Sequence, residues 1–248
     1  MTQRLALVTG GEGGIGTEIC RQLGHAGRRV VTTCMDPEAA NIEAWAETLR
    51  KEGIDANWIQ CDVSDLSACE KMAETVREQY GDVEILVNVA GITKDGFLHK
   101  MDYEQWFDVI NINLNGAFNV TRQFVEPMRK AGFGRIVNIS SVNGQAGQFG
   151  QTNYSAAKAG MHGFTMALAK ESAPKGVSVN TVSPGYIKTS MTDAIPDKVR
   201  EAIISQIPAG DLGEPSDIAR AVAFLTADDA GYINGANLPV NGAQFCSF

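Results

Sequence analysis

The sequence predicts one doubly wound α/β domain, a parallel β-sheet with helices on both faces. Two observations carry this expectation. Short runs rich in β-branched residues alternate with stretches of helical periodicity from one end of the chain to the other. The first of those strands leads directly into a glycine-rich turn, Thr9-Gly10-Gly11-Glu12-Gly13-Gly14-Ile15-Gly16, which opens a helix. No linker, repeat or low-complexity segment divides the 248 residues, so 1–248 reads as a single domain.

Taken in order, Leu5–Thr9 is the first strand and a helix follows over about Gly14–Ala26. Arg29–Cys34 is the second strand, a helix passes through Trp45–Glu52, and Ala56–Cys61 is the third strand, which completes a βαβαβ unit. Asp65–Gln79 reads as helix, Ile85–Asn88 as strand, Tyr103–Lys130 as one long helix and Arg135–Ser140 as strand. A helix bearing Tyr154 and Lys158 continues to about Ala173, then come the strand Val177–Val182, a helix over Ser216–Leu225 and a short strand near Leu238–Val240. The strand order is expected to change after the first half, which places a ligand crevice at the carboxyl edge of the sheet. Only 189–213 breaks the rhythm: Pro196 and Pro208 flank a short helical stretch, Asp197–Ile207, positioned to act as a substrate lid.

Composition narrows the function classes. A net charge of -8 disfavours nucleic acid and anionic membranes as partners. The longest apolar runs, such as Ile136–Ile139 and Val177–Val182, are too short to span a bilayer. Gln3-Arg4 precedes Leu5-Ala6-Leu7-Val8 without a signal-peptide pattern, and a cytoplasmic location is expected. Five cysteines with no CxxC pair argue against a disulfide framework or zinc knuckle, and three scattered histidines give no metal-ligand spacing, so no metal is expected.

Two features carry chemistry. Tyr154 and Lys158 are four residues apart on a helix and so share one face, where an ammonium beside the phenol favours the phenolate. A free tyrosine titrates near about 10, and such a neighbour brings it towards the range useful for proton exchange. A lone pair of this kind is usually an ordinary solvated contact; its company decides the matter. The glycine turn is a phosphate cradle, since glycines let a ligand approach the backbone and the helix start supplies amide donors and a positive dipole end. Its TGxxxGxG spacing differs from GxGxxG, and alone it could be a tight turn.

Gly10, Gly14 and Gly16 with Asn88-Val89-Ala90-Gly91, Asn113, Ser141, Tyr154, Lys158 and Pro184-Gly185 resemble the short-chain dehydrogenase/reductases over the whole chain. Val89 stands where that family usually has a second Asn. The resemblance implies a Rossmann-type sheet and a nicotinamide cofactor. It implies that Tyr154 is the general acid, that Ser141 polarises the substrate carbonyl, that Lys158 holds the nicotinamide ribose and lowers the tyrosine pKa, and that Asn113 orders a water relaying protons to Lys158. Ser140 is a rival to Ser141, and the thirteen-residue offset to Tyr154 favours Ser141. Cofactor contacts implied in the same way are Gly10, Gly14, Ile15 and Gly16 at the pyrophosphate, Asp62 and Val63 beside the adenine, Asn88, Ala90 and Gly91 along the ribose, and Pro184, Gly185, Ile187 and Thr189 around the carboxamide. No cation stands in the glycine turn or in Thr33-Cys34-Met35-Asp36-Pro37-Glu38, so NADH is favoured, with Asp36 and Glu12 repelling a 2'-phosphate, Asp36 accepting from the ribose 2'-hydroxyl, and NADPH left open.

The stretch 142–153, with Gly91-Ile92-Thr93-Lys94-Asp95 and Ser183-Pro184-Gly185-Tyr186, resembles the acetoacetyl-CoA reductases of polyhydroxyalkanoate synthesis. Gln148 and Gln151 can bind a small polar acyl group, Phe149 and Tyr186 can wall the pocket, Lys94, His99 and Lys100 can offset the phosphates of CoA, and Asp95 is a further expected substrate contact. The expected partner is acetoacetyl-CoA or a related 3-oxoacyl thioester. The alternatives are a 3-oxoacyl-ACP reductase of fatty-acid synthesis and a non-catalytic dinucleotide sensor, and the resemblance implies a homotetramer.

Overall fold

The computed structural model describes residues 3–189, 192 and 196–246. Within them, seven strands form one parallel sheet: β1 (Leu5–Thr9), β2 (Arg29–Cys34), β3 (Ala56–Gln60), β4 (Val83–Asn88), β5 (Gly134–Ile139), β6 (Val177–Pro184) and β7 (Asn237–Val240). Their order is β3-β2-β1-β4-β5-β6-β7. β1 is flanked by β2 on one side and β4 on the other, so the winding direction reverses there and the crevice opens beyond Thr9 and Asn88.

Strands buried on both faces need apolar residues at every position, which is why they read as continuous hydrophobic runs rather than alternating ones. The side chains still alternate in direction. Ala6 and Val8 of β1, Ile85 and Val87 of β4 and Val137 of β5 join one core cluster; Leu5, Leu7, Leu86 and Ile136 join the other. The first cluster is closed by α1 (Gly14–His25), α2 (Ile42–Lys51) and a late helix (Pro215–Leu225), through Ile19, Leu23, Leu49, Ile218 and Val222. The second is closed by α3 (Leu66–Tyr80), a fifth helix (Gly116–Ala131) and the helix carrying Tyr154 (Thr152–Ser172), through Met72, Val76, Val120, Phe124, Met128 and Ala169.

Helix starts follow from their caps. Asp65 accepts from the amides of Ser67 and Ala68 at the head of α3. Asp102 and Gln105 form a reciprocal capping box at the head of α4 (Tyr103–Ile110). The long helix expected over Tyr103–Lys130 is divided: after α4 comes a π-helical turn, Asn111–Asn115, and then α5 (Gly116–Ala131). A five-residue widening leaves the apolar period on either side intact, so periodicity conceals it. A short helix, α6 (Asn143–Ala146), occupies part of the stretch read as loop, ahead of α7 (Thr152–Ser172). In the expected lid, α8 (Asp197–Ile204) precedes α9 (Pro215–Leu225), while residues 190, 191 and 193–195 lie outside the described residues. No helix among the described residues is long and apolar enough to cross a membrane.

A buried polar chain stitches the centre of the sheet to the second helical layer. Asn88 donates to Thr121 (2.9 Å) and Asn138 (2.8 Å), Asn138 donates to Thr165 (2.8 Å), and Thr181 bonds the same hydroxyl (2.8 Å). Such a chain fixes register because a slip would strand buried donors.

Truncation of a central strand residue tests the packing account. Leu86 is fully buried on β4, so Leu86→Ala should lower stability by about 2–5 kcal/mol in urea unfolding; a loss under about 1 kcal/mol would contradict it.

Candidate active site

A cavity of about 960 Å³ runs along the carboxyl edge of the sheet. At one end Gly10, Glu12, Gly13, Gly14, Ile15 and Gly16 line it. α1 begins at Gly14 without a side-chain cap, leaving its first amides directed at the cavity. A Cβ on Gly16 would collide with the Gly10 carbonyl and come within 2.7 Å of the Gly11 Cα, so only glycine lets the turn fold this closely. The turn is clamped to β2 by Gly11 N donating to Thr32 Oγ1 (2.7 Å). These are the features a dinucleotide pyrophosphate requires, and the residues present fit it.

Asp62, Val63, Ala90, Gly91, Pro184, Gly185, Ile187 and Thr189 also line the cavity. Asp62 accepts from the Ser64 amide (2.9 Å) and hydroxyl (2.7 Å), which shapes that wall. Thr9 Oγ1 accepts from the amides of Val89 (3.0 Å) and Ala90 (3.1 Å) and turns the chain after β4, while Val89 packs on the first core cluster. Two residues fall elsewhere. Asn88 is part of the buried polar chain and not of the cavity wall, because its amide is already turned towards Thr121 and Asn138. Asp36 is also absent from the wall; its carboxylate accepts from the Ala39 amide (3.0 Å) in the turn after β2.

Tyr154, Lys158 and Ser141 converge at the middle of the cavity. α7 puts Tyr154 and Lys158 on one face, with the Lys158 ammonium 5.6 Å from the centroid of the Tyr154 ring. Lys158 is buried and its Nζ donates to the Ile139 carbonyl at the end of β5 (2.8 Å). Burial pushes its pKa down to about 8. Burial likewise pushes Tyr154 up to about 12; the hydrogen-bonded Ser141 hydroxyl works the other way, and the Asp95 charge adds to the rise. The expectation of a tyrosine pKa drawn down by Lys158 is therefore not met: desolvation outweighs the rest. The phenol stays protonated at neutral pH, the state a proton donor needs.

Both adjacent serines line the cavity and are buried, but Ser140 Oγ is engaged in donating to the Lys158 carbonyl (2.8 Å), whereas Ser141 is the one hydrogen-bonded to Tyr154. Asn113 does not line the cavity. It sits on the π-helical turn, accepting from Ile92 N (2.8 Å) and donating to Ile92 O (2.9 Å). A Cβ on Gly91 would lie 3.0 Å from Asn113 Oδ1 and 3.5 Å from Lys158 Nζ, so Asn113 supports the strip of backbone that faces Lys158.

At the far end Asp95, Gln148, Phe149, Gln151 and Tyr186 line the cavity. Gln151 donates to both oxygens of Asp95 (2.9 Å each) and accepts from Asn143 (2.8 Å). Gln148 reaches the Tyr186 hydroxyl (3.4 Å), and Phe149, 81% exposed, rests edge-on against Phe97. Lys94 and Lys100 are not in the wall; Lys94 is drawn onto α4 by an ion pair with Asp108. Thr33, Met35 and Cys61, at the ends of β2 and β3, and Val199 and Ile203 of α8 line the cavity without having been singled out. For the first three, position at the carboxyl end of a strand was the available signal.

The chain belongs to the short-chain dehydrogenase family, whose model matches residues 4–200. Its curated relatives include an acetoacetyl-CoA reductase of Allochromatium vinosum, 57% identical over 98% of each chain, and one of Cupriavidus necator, 50% identical over 98% of each. A 3-oxoacyl-acyl-carrier-protein reductase of Haemophilus influenzae is 44% identical over the full length of both.

The lysine pKa sets a stability signature. Because the folded value, about 8, lies below the ordinary 10.5, the penalty for burying the ammonium is complete below about pH 8 and vanishes as pH rises towards 10.5. Stability of the wild type relative to Lys158→Met should therefore rise across that window, by roughly 2–4 kcal/mol in total. Urea unfolding of both proteins at several pH values measures it, and a flat difference would refute the assignment.

Proposed function

We propose that this protein reduces acetoacetyl-CoA to (R)-3-hydroxybutanoyl-CoA. The observation that carries the reading is the convergence of Ser141, Tyr154 and Lys158 in one cavity, between a phosphate cradle and a compact polar end. The identity of 50–57% to acetoacetyl-CoA reductases along almost the whole chain supports the substrate.

A nicotinamide dinucleotide bound along the cradle supplies hydride, and the chain's own residues do the rest. Tyr154, protonated at neutral pH, donates its proton to the carbonyl oxygen as charge builds there. The Ser141 hydroxyl donates a hydrogen bond to the same oxygen. Lys158, held by Ile139, offers its remaining donors to the cofactor ribose and favours the phenolate that remains after proton transfer. Asn113 acts through Ile92 and Gly91 by positioning the backbone beside Lys158. Gln148, Gln151, Phe149 and Tyr186 orient the short acyl group, and the small polar end they form favours acetoacetyl over longer chains. Lys188, with its Asp211 and Glu214 partners, and Lys94, with Asp108, already carry ion pairs. The phosphates of CoA are therefore read as solvent-facing.

The cofactor is read as NADH, with NADPH left open. Lys158 is the only cation lining the cavity among the described residues, while Glu12, Asp62 and Asp95 contribute carboxylates. Among the described residues, no guanidinium or ammonium lines the cavity at the glycine turn to meet a 2'-phosphate. A homotetramer is the assembly proposed; exposed Tyr103, Phe107 and Phe118 along α4 and α5 support self-association.

Tyr154→Phe should reduce kcat by about a hundredfold or more while leaving cofactor affinity nearly unchanged; retention of a tenth of wild-type turnover would remove Tyr154 from the acid role. Acetoacetyl-CoA should be turned over with higher kcat/KM than acetoacetyl-ACP and give the (R) alcohol by chiral analysis. The reverse carrier preference points to the ACP reductase, and an (S) product refutes the assignment.

A further inference from the structure

Glu12 is in an unusual position for an acidic residue. It sits in the glycine turn, lines the cavity, and has a carboxylate oxygen, Oε2, that is buried without a hydrogen-bond partner. A carboxylate side chain at a cavity wall is matched best by a ligand that brings hydroxyl donors to it. Its surroundings are specific. The carboxylate is hydrogen-bonded by the Cys34 thiol at the end of β2, whose pKa is raised to about 11 by burial first and then by the charge of Glu12 and the hydrogen bond to it. Thr33 and Met35, on either side of Cys34, line the same part of the cavity.

The placement is rigid. Gly11 N is bonded to Thr32 Oγ1 (2.7 Å), Thr17 Oγ1 donates to Gly11 O (3.1 Å), and Trp45 Nε1 donates to Thr17 (3.0 Å), which ties the turn to β2 and α2. Glu12 thus bridges the pyrophosphate cradle and the end of β2, the interval a dinucleotide's adenosine ribose must cross to reach Asp62 and Val63. A ribose diol offers two hydroxyl donors to a carboxylate. A 2'-phosphate offers none at neutral pH and carries up to two negative charges beside it. Asp36, the acid expected from sequence to read this sugar, has its carboxylate turned to Ala39 N and does not line the cavity.

We propose that Glu12, reaching from the glycine turn to the end of β2, is the residue that selects a free ribose 2'-hydroxyl over a 2'-phosphate. The inference rests on reading the cavity as a nicotinamide dinucleotide site, and it is tested by binding without acyl substrate. NADH and NADPH are titrated against wild type, Glu12→Gln, Glu12→Ala and Asp36→Ala, following nicotinamide fluorescence, with thermal unfolding to establish that each variant is folded. Wild type should bind NADH at least about tenfold tighter than NADPH. Both Glu12 variants should compress that ratio by about tenfold, the size of one hydrogen bond to a charged acceptor, and Asp36→Ala should change it less than about twofold. In wild type alone, ADP-ribose should displace NADH at least about tenfold better than its 2'-phosphorylated form, so the proposal stays exposed even if a variant fails to fold. A ratio unmoved by folded Glu12 variants, a ratio governed by Asp36, or equal displacement by the two analogues overturns it, while binding of both dinucleotides leaves the reductase reading intact. If wild type binds neither dinucleotide, the cavity reading itself falls.

Discussion

The ammonium of Lys158, buried at the carboxyl edge of the sheet and bonded to the Ile139 carbonyl, is the group around which the site is arranged. A charge withdrawn from water is unfavourable unless donors and acceptors are organised about it. The carbonyl that receives it belongs to the last residue of β5, so the position of the ammonium is inherited from strand register rather than from a flexible loop. Ser140 then secures the helical side by bonding the Lys158 carbonyl, and Gly91 keeps the opposing backbone close because a side chain there would press on Asn113. Tyr154 is carried one helical turn earlier on the same face, and its distance to the ammonium follows from helix geometry.

That arrangement changes how the tyrosine works. The phenol and the ammonium are shifted in opposite senses by the same cause, loss of water, and each shift favours the neutral form. For reduction this is the useful direction on the phenol, since an acid must hold its proton until charge develops on the carbonyl oxygen. On the proposed function, Lys158 matters most after transfer, when a phenolate is left beside it and the ion pair forms in a site of low polarity. The lysine, on the same proposed function, acts less by lowering a resting pKa than by stabilising the charge that the reaction generates.

Much of this was legible in the sequence, and the places where the structure differs have a common physical origin. The βαβ alternation, the glycine turn and the Tyr154–Lys158 spacing are local patterns, and each was recovered with strand bounds within a few residues. The π-helical turn at Asn111–Asn115 was missed because it leaves hydrophobic periodicity undisturbed, although it sets the direction of Asn113. Asn88 and Asp36 were placed in the cofactor site by position along the chain, yet side-chain direction depends on partners distant in sequence: Thr121 and Asn138 for the first, the turn to Ala39 for the second. Lys94 is read towards the CoA phosphates from its stretch's resemblance and its charge, and in the structure it is ion-paired with Asp108 on α4. Sequence reasoning located the ends of strands well; it could not say which side chain at each end turns inward.

The two ends of the cavity differ in how completely their polar groups are matched, and this has a functional consequence. At the acyl end Asp95, Gln151 and Asn143 bond one another, and Gln148 bonds Tyr186, so the wall holds its shape through its own contacts. A wall satisfied internally discriminates chiefly by size and shape, which suits a small acyl group and yields only modest preferences between close homologues. At the nucleotide end Glu12 keeps an unmatched acceptor. A site with an unmatched group discriminates by chemistry, because the ligand that supplies the missing donor gains what one lacking it forfeits. Polar groups are thus matched more completely at the acyl end than at the nucleotide end, with the Ser141, Tyr154 and Lys158 cluster between them.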